Sequence, residues 1–191
     1  MKPGKNRAEL CYSFIYDTSW LTDYEAVTDE LCTHLGMAVS VALADSTLSD
    51  IAHDLEHMQP LAFHANGSLR GKMAIEESDL VWLHERYAHY RDEVGIERLK
   101  NFVLPRGTAP IPHLHFARAA AKQAIRCLVR VETEGRDIPP PLPRLLNLMC
   151  NFCFLLTVVI NHRRGVVEPV FVSKSYRYGT QKAEKAETAD E

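Results

Sequence analysis

Four cations step by four along one stretch of the chain: Arg118, Lys122, Arg126 and Arg130. At 3.6 residues per turn the first three make a positive stripe that turns slowly around a helix, and a polyphosphate can lie along it. The same spacing also serves a solvated basic face paired with acids of a neighbouring helix. Arg144, Asn147 and Asn151 lie three and four apart among apolar neighbours, so their polar groups need partners inside the protein or from a ligand. Asp29, set among Val27, Leu31 and Leu35, is expected to be half-buried and to seek a cation, with Arg118 as the candidate. Other groups have the spacing of metal ligands: His53 with His57, His113 with His115, and Cys150 with Cys153. None completes a site, and a cysteine pair within an apolar helix reads as core. The chain contains no G-x-x-x-x-G-K-[ST], G-x-G-x-x-G or G-x-S-x-G stretch, so a nucleotide needs another cradle.

The elements that must position these residues are helices. Val27, Leu31, Leu35, Ala38 and Ala42 recur at three- and four-residue steps and predict a helix over 23–44 with Asp23 as N-cap. A second is expected over 47–63, ended by Asn66-Gly67. The third opens at the acidic Glu76, Glu77 and Asp79, suited to the positive end of a helix dipole, and runs to Glu93 before Gly95. The stretch Phe102 to Pro112, FVLPRGTAPIP, holds three prolines and a glycine and reads as an ordered loop. A fourth helix follows to about Gly135. Pro139 to Pro143 form a stiff entry to a fifth that continues to His162. Strand signals are confined to Leu10–Ile15 and Val166–Val172, and the tail beyond Tyr178 is polar and expected to fray. This pattern predicts an all-α antiparallel helix bundle, with ligand sites between facing helices or at subunit interfaces.

Composition sets the outer limits. The chain has 191 residues, 46% hydrophobic and 25% charged, which is ordinary for one globular domain and unlike a disordered or disulfide-scaffold protein. Twenty-two Lys+Arg against twenty-five Asp+Glu give a formal charge of -3; no global basic field directs it to nucleic acid or anionic lipid. The start MKPGKNRAEL has no following apolar region, and the apolar run Leu145 to Ile160 is shorter than a bilayer span and holds two asparagines. Five cysteines, an odd number with one close pair, fit a reducing compartment, and a cytoplasmic protein with no membrane partner is expected.

Taken together, VTDEL (27–31), FVLPRGT (102–108), LHFARAAAKQAIR (114–126), LLNLMCNFCF (145–154) and INHRRG (160–165) resemble the PduO-type ATP:cob(I)alamin adenosyltransferases. The likeness spans roughly residues 23–165, leaving 1–22 as a divergent N-terminal segment and 166–191 as a C-terminal extension with a polar tail. It implies a five-helix bundle assembled as a homotrimer, with cobalamin and ATP, and magnesium accompanying ATP, in a cleft between subunits. The implied activity is transfer of the 5'-deoxyadenosyl group to cob(I)alamin, and the implied acceptor of the product is a cobalamin-dependent enzyme. By the same resemblance, Phe102 takes the position of the aromatic on the lower face of the corrin. Asp29 and Arg118 take those of an interfacial ion pair, and Asn147 that of a nucleotide-contacting amide. Lys122 stands where the family has an arginine, keeping the charge without the bidentate fork. With Arg126 these cations form the expected nucleotide-binding set. The family's phosphate-wrapping T-[GR]-x-G-D-x-G-x-T stretch has no counterpart in residues 1–22, and its P-G-G-T loop reads Pro105-Arg106-Gly107-Thr108 here. The alternative reading is a corrinoid-binding or carrier protein without the ATP site; a further one is a bundle used only as a structural module.

Overall fold

Five helices account for most of the molecule in the computed structural model, which describes residue 4 and residues 6–175. They are α1 (Trp20–Ala42), α2 (Ser49–Ser68), α3 (Glu77–Val94), α4 (Ile111–Thr133) and α5 (Pro141–Arg163). Their packing order is α2, α1, α4, α5, α3, so α1, α4 and α5 each lie between two neighbours. Leu31, Leu35 and Ala38 of α1, Ala117, Ala121 and Ala124 of α4, and Leu145, Phe152 and Leu156 of α5 are fully buried. The alanines of α4 are small enough to admit both flanking helices closely. The longest apolar stretch of α5 meets the length and composition of a bilayer span, but 67% of it is buried inside the bundle, as befits a core helix.

Several helix ends differ from the sequence expectation, each for a local reason. The first helix starts at Trp20 rather than Asp23, because the Ser19 hydroxyl accepts from Leu21 N at 3.2 Å and caps it. Glu134, just past α4, strengthens this start by accepting from the Ser19 hydroxyl at 2.6 Å and from Trp20 N at 3.0 Å. Asp23 instead lies in the first turn. In α2 the Asn66-Gly67 pair does not end the helix. Asn66 points its amide at α1, donating to Glu25 O at 2.5 Å and to the Thr28 hydroxyl at 2.9 Å, and the helix continues to Ser68. The third helix matches its expected start, with Glu76 and Asp79 forming a reciprocal capping box, and Gly95 follows its end at φ 76°.

Pairs across the bundle give its directions. Tyr24 reaches Ala65 O from α1 to α2, and Trp20 stacks under Arg130 of α4 while His34 stacks on Phe116, so α1 runs antiparallel to both neighbours. Between α3 and α5 the pairs are Glu77 with Arg144 at one end and Glu93 with Arg163 at the other, so these two run parallel. Ion pairs join this side of the bundle. Asp54, on α2, accepts from Arg86 Nε and from the Tyr90 hydroxyl, both at 2.8 Å, while Arg163 is bidentate to Asp50 at 2.7 Å.

Neither expected strand forms as such. Residues 10–15 make turns, and Val166–Val172 contributes one isolated antiparallel bridge, Val170 to Val103. The N-terminal segment is tied down by ions instead: Glu25, 5% exposed, takes a bidentate pair from Arg70 at 2.8 and 2.9 Å and a hydrogen bond from the Tyr12 hydroxyl. The same guanidinium lies 3.6 Å over the Phe14 ring. The polar tail from Gly179 lies outside the described residues.

Candidate functional site

The loop between α3 and α4 is built to hold an unusual side chain in place. Phe102 is 67% exposed, far from the core position an isolated phenylalanine normally takes. At the loop's far end Gly107 has φ 152°, and a Cβ there would stand 2.6 Å from Ile111, so the turn into α4 closes only on glycine. Arg164, past the end of α5, fastens the following residues by donating to the Thr108 hydroxyl at 2.8 Å and Ala109 O at 3.0 Å, while its other nitrogen meets Asp45 at 3.0 Å.

Beneath this loop α4 and α5 enclose a cavity of about 230 Å³. Phe102, Val103, Lys100 and Asn101 line it from the loop, His115, Arg118 and Lys122 from α4, and Cys150, Asn151 and Phe154 from α5. Arg118 lies 5.8 Å over the Phe154 ring, and its buried Nε has no hydrogen-bond partner. The Nδ1 of His115 is likewise buried and unpartnered. Burial, reinforced by the neighbouring Arg118 cation, pushes the His115 pKa down to about 4, so the imidazole is neutral at pH 7. His115 and Arg118 also form the wall of an adjoining cleft of about 380 Å³ that Pro105, Arg106 and Phe116 border. Two unspent polar groups, two further cations and an exposed aromatic around a partly apolar space suit a large planar ligand carrying or meeting an anion.

Of the expected site residues, Phe102, Arg118 and Lys122 share this cavity. Arg126 is exposed one turn further along α4, and Arg130 is turned away over Trp20 at 3.9 Å. Asn147 is exposed, donates to Pro143 O at 2.7 Å, and lines a separate shallow cleft with Arg144 and His84 that meets the first only at Asn151. Arg144, Asn147 and Asn151 are thus a polar stripe facing outward rather than buried amides. Asp29 corrects its expectation too: it is exposed, and no ion pair with Arg118 forms within the chain. It borders a cavity of about 420 Å³ with Cys11, Tyr12, Glu25 and Phe63. Burial raises the pKa of both Cys150 and Cys153, and no group of three His, Cys, Asp or Glu converges into a metal site among the described residues. His115, Lys100 and Cys150 were not singled out as cavity residues from the sequence. The signal for His115 is its place one turn before Arg118 on the same face.

Comparisons with known proteins place the chain in a family. Residues 18–160 match the sequence profile of the family described as Cobalamin adenosyltransferase. A Cobalamin adenosyltransferase from Cupriavidus metallidurans is 29% identical over 140 residues, 72% of either chain. A Corrinoid adenosyltransferase from Bacillus subtilis is 27% identical over 143 residues, again 72% of either. Among solved structures, a variant PduO-type ATP:corrinoid adenosyltransferase from Lactobacillus reuteri, complexed with cobalamin and ATP, superposes with a TM-score of 0.72 at 23% identity, covering 82% of this chain and 88% of that one. Another variant from the same organism, complexed with ATP, gives 0.72 at 24% identity over 81% and 89%. At these identities the structural likeness establishes the fold.

Proposed function

The chain belongs to the cobalamin adenosyltransferase family, and from that premise we propose that it transfers the 5'-deoxyadenosyl group of ATP to the cobalt of cob(I)alamin, in the cytoplasm. The observation that carries the reading is the cavity in which the Phe102 loop meets Arg118 and Lys122. Phe102 lies against the lower face of the corrin and displaces the axial ligand there. A donor on that axis raises the orbital that the incoming electron must enter, so its removal eases reduction of Co(II) to Co(I) by an external one-electron reductant. The Co(I) electron pair then attacks C5', the cobalt–carbon bond forms, the C5'–O bond breaks, and triphosphate leaves with that bond's electrons. Arg118, Lys122 and, further along the helix, Arg126 offset the charge growing on the leaving group. Magnesium belongs with the triphosphate rather than in a protein cage. Asp29, exposed on its own subunit, meets the Arg118 of a neighbouring one in a homotrimer, and Asn147 serves the nucleotide. The adenosylated product passes to a cobalamin-dependent enzyme.

The test is formation of adenosylcobalamin from purified protein, ATP, magnesium and chemically reduced cobalamin, followed by absorbance. No product above the protein-free control overturns the reading. One observation favours a second reading, a corrinoid carrier without the transferase step: residues 1–22 hold no counterpart of the phosphate-wrapping T-[GR]-x-G-D-x-G-x-T stretch. A cobalamin spectral shift that is the same with and without ATP, with no adenosylated product, selects the carrier.

A further inference from the structure

The helices that the Phe102 loop connects do not hold it alone. Just before it, a short 3-10 turn, Ile96–Leu99, carries Arg98. One Arg98 nitrogen lies 3.0 Å from His162 Nδ1 at the end of α5, and another donates to Val166 O at 2.6 Å and to Glu168 at 3.0 Å. From Glu168 onward the chain runs antiparallel to the loop. Leu104 N donates to Pro169 O at 2.9 Å, and Phe171 N donates to the carbonyl of Phe102 itself at 2.7 Å. With Val103 bridged to Val170, the register sets Phe171 opposite Phe102, and cross-strand neighbours of this kind share a face.

This segment buries little. Val167 is 85% and Val172 72% exposed, so apolar packing does not explain why it lies there. What fixes it is the polar joint at Arg98 and the two backbone hydrogen bonds. In that joint Arg98 Nε and Glu168 Oε1 remain buried without partners, a cost that packing does not offset. Without the joint the segment would be held to the loop by the backbone hydrogen bonds on either side of Val103 alone.

We infer that Val166–Phe171 is a strap that positions Phe102, with Arg98 as the positioning residue that anchors it and Phe171 as a second aromatic beside Phe102. The inference rests on the transferase reading, in which Phe102 acts on the step that starts from Co(II). A loosened strap leaves Arg118, Lys122 and the nucleotide untouched but lets Phe102 swing away from the corrin. The step from Co(II) is then lost while the attack by ready-made Co(I) continues.

Two variants test this independently. Arg98→Ala removes the anchor; Phe171→Pro, at a half-exposed position, removes the N–H that holds the Phe102 carbonyl. Each is expected to lower the Co(II)-dependent rate by about tenfold, and the four-coordinate Co(II) spectral signature in step, while the rate from Co(I) stays within about twofold. Glu168→Gln keeps the shape of the joint and is expected to lose less. Equal losses in both rates, or no loss in either, overturn the strap. An unsubstituted protein that makes no adenosylcobalamin even from Co(I) overturns the functional reading, and the strap falls with it; a parent active from Co(I) with variants that lose both rates alike overturns the strap alone.

Discussion

Phe102 is the residue whose exposure most needs a ligand to explain it, and its removal should separate two steps of the chemistry. Phe102→Ala is expected to slow the reaction that starts from Co(II) by at least about tenfold, the effect of roughly 1.4 kcal/mol in the barrier, and to slow the reaction from Co(I) much less. Parallel assays with each cobalt state check this, and equal losses contradict a role on the corrin's lower face. His115 gives a prediction in pH. Its folded pKa of about 4 lies below the usual 6.5, so the unfolded chain takes up the proton first. Its contribution to stability is present above about pH 6.5 and is lost as pH falls through 4. Melting temperatures of the parent and of His115→Asn, compared from pH 7 to 4, should converge towards the acid end; a constant gap would refute the assignment. At this scale the sequence conveyed residue type well and environment badly. The four-residue step of cations correctly placed Arg118 and Lys122 together because they share one helix. The burial expected for Asp29, Arg144, Asn147 and Asn151 failed because apolar neighbours in sequence occupy other faces of the same helix. The last three sit at steps of three and four, so their common outward face was legible in the spacing itself.

Helices were the most legible level, since all five follow from apolar periodicity and from Gly95, Gly135 and the proline run before α5. Their ends were less so. Ser19 gains from Glu134, 115 residues away, and Asn66 is committed to α1 rather than to a turn; neither tertiary partner can be inferred from local propensity. The cross-helix ions of α2, α3 and α5 carry a prediction of their own. Hydrogen bonds and charge from Arg163 hold the Asp50 carboxyl at about 2 rather than 3.8. That stabilisation is complete above the unfolded value and disappears as pH falls from about 4 through 2. Arg163→Met should therefore destabilise the bundle at pH 7, by about 1–3 kcal/mol for charged hydrogen bonds lost from a partly exposed site. Urea unfolding at a series of pH values checks this: the difference from the parent should shrink below pH 4, and a pH-independent difference would argue that Arg163 acts through packing alone.

For the whole molecule, the proposed function carries a prediction about assembly. Exposed Phe14, Trp20, Phe63 and Phe116 offer apolar area for a self-associating surface, across which the proposed partner of Asp29 would stand. The expected solution mass is three times 21.6 kDa, measured by light scattering at micromolar concentration. A monomer would separate Asp29 from Arg118 and remove the intersubunit cleft from the mechanism. An Asp29→Ala variant that dissociates, or binds nucleotide less well, would be consistent with the trimer.

The packing order α2, α1, α4, α5, α3 also bears on how the chain is made. As the polypeptide leaves the ribosome, α1 can pair with α2 at once, but its opposite face has no cover until α4 has emerged, 91 residues after α1 ends. At about 5–20 residues per second, that interval is on the order of ten seconds. Throughout it the nascent hairpin carries a bare apolar stripe, a substrate for chaperones that hold emerging chains. A stall in translation before α4 has cleared the ribosome would prolong that exposure, whereas one after it would not.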